Sequence, residues 1–554
     1  MNVAVAVQLI ASLAATLGAY GLYKALKFVY INRTSPLRHL PGPPNKGFIW
    51  GNLKEIMDSE NSELHEKWIE EYGRTISYRG LFGMNRLYTT DLKAINHVLM
   101  NSYIYQKPGP ARYQLGQILG EGVLVVEGDA HKKQRRVMNP AFGAAQIREL
   151  TDIFVEKSIE LRNAWESEVR KQGEDSEPPT VDVLSWLSRM TLDVIGLAGF
   201  NYKFNALSEG KEKNELNKAF SKIFETNASV SIIPLLRGFF PALRWLPADR
   251  DAETKQARRT MDRIGRELLD NSKAALRKSG LKVDKESLKS KDLLTLLLRA
   301  NMATDIPEHQ RMSEDDVLAQ VPTFLAAGHE TTSTSTTWAL FAIAKAPEVQ
   351  AKLRDELLTV SSDNVSMDEL NALPYLDAVV RETLRIHAPV PSTLRVAVED
   401  DVLPLTTPVT DRNGKVYESI PIRKGQTLFI PVIPINRDKK IWGEDGHEFN
   451  ANSVLAALSP ERWLSAPEAA SSIPGVWGNM LTFLGGPRAC IGYRFSLVEM
   501  KALLFTLVRA FEFELGVPAE DIGKKSSVVQ RPFLRSNPEA GNQMPLKIKL
   551  YQRA

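Results

Sequence analysis

The longest helical pattern in the sequence runs from Ser313 to Lys345, about 33 residues or roughly 50 Å of α-helix. Ser313 and Asp316 predict a capping box at its start, and Pro347 stops it. A helix of this length crosses a whole domain, so the rest of the fold must pack around it. Its centre, "AAGHETT" at Ala326–Thr332, places glycine and polar residues where core is expected. On its own, this segment equally fits an ordinary polar face.

Helical periodicity dominates elsewhere, and strand signals form a minority. The strand signals lie at 76–90 and 402–432, where Asn413-Gly414 predicts a hairpin turn and Lys424-Gly425 a second reversal. No linker of disordered composition divides residues 51–554. The sequence therefore predicts a mainly α fold with minor β, as one large domain over 51–554. The other predicted helices are 60–72, 144–170, 212–226 and 251–278.

The N-terminus has the composition of a membrane anchor. No charged residue occurs from Val3 to Tyr23, and a helix of that length crosses roughly 30 Å of hydrocarbon. A cleaved signal peptide would have a shorter apolar region preceded by positive charge. Positive charge follows the run instead, which predicts that the C-terminal bulk stays cytoplasmic. We expect an anchor at 1–30 and a stiff hinge at 31–50, which contains "LPGPP".

Bulk composition excludes several classes of protein. The 70 basic and 66 acidic residues give a net charge of only +4, which does not indicate nucleic-acid binding. The single cysteine excludes an intramolecular disulfide and a cysteine-rich structural metal site.

That cysteine, Cys490, lies in "FLGGPRACIG", residues 483–492. A lone thiol is usually an inert buried hydrophobe. Here, however, glycines leave room for a flat group, Arg488 supplies a positive charge, and a helical pattern begins just downstream. These features favour an anionic sulfur beside a planar, negatively charged group.

Four motifs together resemble the cytochrome P450 superfamily. "FLGGPRACIG" is similar to its haem-binding signature, and "AGHETT" is similar to its oxygen-activation segment. "ETLR" and "PERW" supply a charge cluster that braces the haem pocket in such proteins, here Glu382, Arg385 and Arg462. The resemblance covers nearly everything after the anchor, and the sequence is most similar to those of fungal microsomal members. It implies a single large domain of the P450 type, built around haem b and preceded by one transmembrane helix.

The resemblance also implies site residues. Cys490 would be the axial thiolate ligand of the haem iron. His131 stands where the family often has tryptophan, with Arg135 retained four positions later. The implied cofactor contacts are Arg488, Phe483, Gly486, Gly492, Arg395, Arg135 and His131. "EFNANSVLAALSPERW" adds about ten residues, Asn450–Ser459, for which the resemblance gives no function.

The activity that the resemblance implies is insertion of one oxygen atom of O₂ into a lipophilic small molecule, with a terpenoid or sterol favoured. Thr331 would hydrogen-bond the reacting oxygen, and Glu330 would feed it protons. If the Thr331 hydroxyl merely bonds back to the carbonyl of residue 327, that role is lost. The implied substrate pocket includes Ala327, Gly328, Val390 and Leu394, with further contacts from 103–125 and 529–534.

Partners and rival functions complete the expectations. Electrons would come from NADPH-cytochrome P450 reductase, with cytochrome b5 as an additional donor, at the endoplasmic reticulum membrane. Lys132, Lys133 and Arg136 form either a reductase-docking face or a solvated helix face. The rivals are a haem-thiolate isomerase or dehydratase without a reductase, and a non-catalytic haem or lipid carrier. The sequons at Asn227 and Asn364 are expected to stay unglycosylated.

Overall fold

The computed structural model describes residues 3–60, 62–172, 177–208, 232–248, 251–278, 292–302, 307, 311–446, 458–525 and 528–552. Helices dominate these residues, in agreement with the sequence. The α-helices are α1 Val3–Arg33, α2 Leu53–Asp58, α3 Glu63–Tyr72, α4 Leu92–Met100, α5 Gly109–Leu119, α6 Gly128–Met138, α7 Ala144–Gln172, α8 Val183–Phe200, α9 Ile232–Phe239, α10 Asp251–Lys278, α11 Leu293–Met302, α12 Glu314–Leu318, α13 Gln320–Ala344, α14 Pro347–Leu358, α15 Met367–Asn371, α16 Pro374–Ile386, α17 Val432–Asn436, α18 Lys439–Trp442 and α19 Tyr493–Ala510.

Strands are short and few. They are β1 Thr75–Arg79, β2 Asn85–Thr89, β3 Tyr105–Gln106, β4 Thr180–Asp182, β5 Ser392–Ala397, β6 Asp401–Thr410, β7 Val416–Ile422, β8 Thr427–Pro431, β9 Phe511–Leu515, β10 Ile522–Lys524, β11 Pro532–Leu534 and β12 Pro545–Leu550. A mainly α fold with minor β is therefore confirmed.

The chain forms two compact units. The smaller unit comprises residues 1–59, 63–105 and 394–431, and the larger comprises 60–62, 106–393 and 432–554. The anchor, hinge and domain boundaries expected from the sequence stay a prediction.

The smaller unit is built on a five-stranded sheet of order β1-β2-β8-β5-β3. Strands β1 and β2 are antiparallel, whereas β2 and β8 run parallel. Strands β6 and β7 form the hairpin that Asn413-Gly414 predicts, with Gly414 at φ +82°. The end of α1 is fixed to this unit because the Asn32 amide donates to the Gly83 carbonyl at 2.7 Å.

The larger unit holds the main hydrophobic core. Strands β4, β12 and β9 form one small sheet, and β10 pairs with β11. Helix α13 is buried along most of its length and packs on α8 and α19. The side chains of Trp338, Leu340 and Ile343 on α13 are completely buried. This central position is the one that its length predicts.

The long predicted helix is interrupted once. Ala319 separates α12 from α13. Pro322 lacks an N–H group and so cannot donate to the carbonyl of Leu318, which weakens the helix at that point. The capping box of Ser313 and Asp316 is confirmed. The predicted helices at 60–72, 144–170 and 251–278 are also confirmed within a few residues, whereas 212–226 lies outside the described residues.

Among the helices whose side chains the structure describes throughout, α8 is the one long and apolar enough to cross a membrane. Because 72% of its apolar window is buried inside the protein, α8 has the character of a core helix. The N-terminal segment forms the continuous helix α1, and its role as an anchor stays a prediction.

Candidate active site

The loop before α19 fixes Cys490 through its own backbone. The Cys490 N–H donates to the Phe483 carbonyl at 2.9 Å, and the Ala489 N–H donates to the Gly486 carbonyl at 3.1 Å. Gly486 has φ +68°, a left-handed conformation that favours glycine. At Gly485 an added Cβ would lie 1.8 Å from the Pro474 carbonyl oxygen. These two glycines are therefore required by the loop itself.

Gly492 differs from them. An added Cβ there would meet no atom nearer than Phe142 Cε1, at 3.8 Å, so the protein alone does not require a glycine. Cys490 is solvent-accessible, yet burial among protein atoms raises the pKa of its thiol. A hydrogen bond from the Gly492 backbone and the charge of Arg135 act in the opposite direction. The thiol thus faces open space inside the protein, beside a glycine whose missing side chain leaves room for a flat group.

Basic side chains surround the cysteine loop. Arg135 on α6 donates from Nη1 to the Ala489 carbonyl at 2.6 Å, next to Cys490. Arg488 donates from Nη1 to the Val126 carbonyl at 2.9 Å and pairs with the Glu127 carboxylate. Cations close to Cys490 can hold an anionic group of a cofactor.

His131 is buried on the same helix. Burial, together with the charges of Lys107 and Arg135, lowers its pKa to about 4. The imidazole is therefore neutral near pH 7, and one ring nitrogen can donate a hydrogen bond. Its role as a donor in place of tryptophan stays a prediction. Glu127 is the acid in this group, and no sequence motif indicates it.

Arg395 belongs to the smaller unit. It lies on β5, is buried, and donates from Nη1 to the Leu394 carbonyl at 2.8 Å. Burial lowers the pKa of its guanidinium to about 10. Its contact with a cofactor stays a prediction.

The predicted charge cluster is assembled as expected. Glu382 Oε1 lies 2.7 Å from Arg385 Nη2 and 3.4 Å from Arg462 Nε. Arg385 Nη1 also donates to the carbonyls of Asn436 at 2.9 Å and Gly446 at 2.6 Å. The cluster therefore joins α16 to α17 and to the segment that follows α18.

The centre of helix α13 is less buried than the residues on either side of it. Residues 320–325 and 332–344 are buried, whereas Ala327 is exposed and 328–331 are half-buried. The Glu330 carboxylate pairs with the guanidinium of Arg531. The Thr331 hydroxyl donates to the Ala327 carbonyl at 2.7 Å, which is the back-bonded geometry weighed in the sequence analysis. Both side chains thus lie at the one open stretch of a helix that is otherwise core.

The other predicted pocket residues lie on three different segments of the chain. An added Cβ on Gly328 would lie 2.8 Å from Ile195 Cδ1, so the packing of α13 on α8 explains this glycine. Val390 and Leu394 are half-buried, at the end of the segment after α16 and on β5. Their contact with substrate stays a prediction.

The structure adds a polar cluster behind the open stretch. The hydroxyls of Thr332 and Ser496 lie 3.0 Å apart, joining α13 to α19. Glu499 on α19 is fully buried, and burial raises its pKa well above the ordinary value. A carboxyl inside the apolar run "LVEMKALLF" is the signal that could have indicated it.

Comparison with known proteins agrees with this geometry. The sequence profile of the family described as Cytochrome P450 matches residues 41–535. The chain belongs to the cytochrome P450 family. This family uses haem with a cysteine thiolate ligand, and Cys490 is the single cysteine of the sequence.

Fungal relatives match along nearly the whole chain. Cytochrome P450 monooxygenase 205 of Postia placenta is 56% identical over 548 residues, 99% of each chain. Cytochrome P450 monooxygenase 128 of the same organism is 52% identical over 544 residues, 97% of each chain. Cytochrome P450 monooxygenase claP of Ampulloclitocybe clavipes is 35% identical over 534 residues, 94% of each chain. The chain is therefore a cytochrome P450 monooxygenase.

Proposed function

We propose that this monooxygenase oxidises a lipophilic small molecule, with a terpenoid or sterol as the favoured class. Its electrons come from NADPH-cytochrome P450 reductase, and cytochrome b5 is an additional donor. Helix α1 anchors it in the endoplasmic reticulum membrane. The observation that carries the proposal is the open stretch of α13, where Glu330 and Thr331 lie side by side on an otherwise buried helix.

Cys490, Arg488, Arg135 and His131 would hold the cofactor. The thiolate would ligate the iron, and the basic and neutral donors would bind the propionates. When bound, haem activates dioxygen with two electrons and two protons, so that one oxygen atom enters the substrate and the other leaves as water.

The chain's own residues would deliver the protons. Glu330 takes a proton from solvent at its carboxylate, and the Thr331 hydroxyl leaves the Ala327 carbonyl to hydrogen-bond the reacting dioxygen. A positioned acid of this kind typically contributes 10²- to 10⁴-fold to a proton-transfer step.

Thr331→Ala tests the relay. Reconstituted with the reductase and the compound that gives the largest spectral shift in a lipophilic panel, the variant should still consume NADPH and O₂. More of the oxygen should appear as peroxide and less as oxidised product. Thr336→Ala is the matched control, because the Thr336 hydroxyl also bonds back four residues, to the Thr332 carbonyl at 3.0 Å. Unchanged coupling in Thr331→Ala would remove this role from Thr331.

The cofactor ligand has a separate test. The reduced carbon-monoxide complex of the wild type should show the red-shifted Soret band of thiolate ligation, and Cys490→Ala should lose it. Retention of that band in the variant would contradict the assignment.

The topology is tested through the sequons. Asn364 lies on an exposed loop of the larger unit, whereas Asn227 lies outside the described residues. A cytoplasmic catalytic domain never meets the glycosylation machinery of the lumen, so natively expressed protein should carry no glycan at either position. Glycan mapped to Asn364 by mass spectrometry would reverse the proposed orientation.

A further inference from the structure

The partner of Glu330 comes from a distant part of the sequence. Arg531 lies just before β11, in the segment 528–531. The neighbouring Gln530 anchors that segment, because its N–H donates to the Pro389 carbonyl at 2.8 Å. Its carbonyl accepts from Trp338 Nε1 at 2.9 Å. Trp338 lies on α13 about two turns beyond Glu330, so one helix carries both the acid and the anchor of its partner.

The ion pair is mostly enclosed. The side chains of Arg531 and Glu330 are 13% and 12% exposed. Burial lowers the pKa of Arg531 to about 10, so the guanidinium still carries its charge at neutral pH. An adjacent cation favours the ionised form of a carboxyl group. Arg531 therefore keeps Glu330 as a carboxylate, a form that accepts protons and has none to donate.

Both relay groups are engaged elsewhere in this arrangement. Glu330 is held by Arg531, and the Thr331 hydroxyl is held by the Ala327 carbonyl. Proton delivery requires both to exchange partners. The segment 528–531 overlaps the residues 529–534, which are predicted to contact substrate.

We propose that Arg531 is a positioning residue that withholds Glu330 from proton delivery until movement of the segment 528–531 separates the two. This inference rests on the proposed role of Glu330. It makes the relay depend on what occupies the pocket, since a molecule seated against this segment displaces Arg531. In the absence of such a molecule, the pair limits the transfer of protons to dioxygen and so limits wasteful consumption of NADPH.

The test uses the full-length holoprotein with its reductase and no added substrate. Arg531→Gln should raise the basal rates of NADPH oxidation and peroxide formation by roughly tenfold, the change that corresponds to one pKa unit of the acid. A proton donor must be protonated, so the rate falls as pH rises. Loss of the cation should move this falling limb to higher pH, by on the order of one unit. Arg531→Lys should restore the wild-type profile, because it keeps the charge.

A double variant separates this role from a structural one. In the Glu330→Gln background, Arg531→Gln should change neither the basal rate nor its pH profile, because the group through which Arg531 acts is gone. Arg535→Gln is the matched control, since Arg535 pairs with Glu60, away from the relay. Its profile should equal that of the wild type.

The two proposals fail in different ways. If Glu330→Gln alone leaves coupling unchanged with a turned-over substrate, the proposed role of Glu330 falls. If Glu330→Gln uncouples the enzyme but the effects of Arg531→Gln are additive with it, or its pH profile does not move, the inference about Arg531 alone is overturned. The thiolate Soret band of each variant shows that the haem site has formed.

Discussion

Two buried carboxyl groups in the larger unit have opposite surroundings. Glu382 accepts hydrogen bonds from Arg385 Nε at 2.9 Å and from Trp463 Nε1 at 3.0 Å, with Arg462 also in contact. Among the described residues, neither oxygen of Glu499 forms a well-aligned hydrogen bond. The Thr332 hydroxyl offsets only part of the burial that raises the pKa of Glu499. Equal burial thus gives a carboxyl group held between guanidinium groups in one place and a carboxyl group with a raised pKa in the other.

The difference teaches that charge inside this protein is decided by the partners of a group and not by its depth. Where cations and backbone carbonyls complete a network, an ion is stable and rigid. Where hydroxyls and apolar groups surround an acid, it keeps its proton. The Glu330–Arg531 pair is intermediate between Glu382 and Glu499. Glu330 has a charged partner, as Glu382 does, but we propose that this partner can be displaced.

Glu382→Gln should have the largest effect. It removes the carboxyl partner of the fully buried Arg385, whereas Arg462 keeps its pair with Asp445 at 2.6 Å, and we expect a loss of about 3–5 kcal/mol in the free energy of unfolding. The free energy of unfolding is measured by urea titration, with the thiolate Soret band as the signal. The control is Glu461→Gln, which breaks the exposed pair with Lys352 and should cost less than about 1 kcal/mol. Similar losses in both variants would contradict the distinction.

Glu499→Gln should act in the opposite direction. The native state holds a proton on Glu499 above the pH at which the unfolded chain releases it, so wild-type stability falls as pH rises above about 4.5. The variant lacks this penalty, which grows by up to about 1.4 kcal/mol per pH unit while Glu499 stays protonated. Unfolding at pH 5 and pH 7 should show the variant gaining on the wild type. A constant difference would mean that Glu499 is ionised in the native state.

His329 should give a smaller effect at acid pH. It lies on α13, and burial lowers its pKa to about 4 from an ordinary 6.5. Between these values the unfolded chain binds more protons, so stability falls as pH falls, by about 2 kcal/mol at pH 5. His329→Gln should remove that slope, and replacement of the exposed His39 should not. An unchanged slope in His329→Gln would place the titration elsewhere.

The exposed cations of α6 should give the smallest effect, on a rate and not on stability. Lys132 and Arg136 are exposed, whereas Lys133 lies 4.0 Å from Asp316. Lys132→Glu with Lys133→Glu should slow reduction by the reductase a few-fold at low salt, and the difference should vanish as salt rises. Substrate-induced spectral shifts should not change. Lys255→Glu is an exposed control on α10. Equal reduction rates at low salt would exclude this face.

Sequence reasoning located groups that act through the local chain. The cysteine loop, the capping box at Ser313 and the hairpin at Asn413-Gly414 each follow from a few adjacent residues, and the structure agrees. The cluster of Glu382, Arg385 and Arg462 came from the family resemblance, since nothing local joins α16 to the "PERW" segment. Fold class was equally accessible, because helical periodicity persists through most of the chain.

Partners that are distant in sequence were missed. Arg531 and Glu330 are 201 positions apart, and no periodicity connects them. Glu127 lies just before α6, and an acidic residue at that position ordinarily indicates only the N-terminus of a helix. Gly328 was assigned to the pocket from its motif, but its neighbour Ile195 on α8 is visible only once the helices pack. Pro322 could have predicted the break between α12 and α13, but it lies within an apolar run that favours a continuous helix.

The segment 474–485, which precedes the cysteine, has a consequence for how such an enzyme can diversify. At Gly475 an added Cβ would lie 1.9 Å from the Met480 carbonyl oxygen, and at Gly485 it would lie 1.8 Å from that of Pro474. Backbone oxygens cannot move aside as a flexible side chain does, so neither position tolerates any other residue. In a gene library randomised across residues 474–492, variants that replace either glycine would fail to fold. They would be lost before any selection for activity began. New substrate preferences must therefore arise elsewhere, in segments whose backbones are free to change.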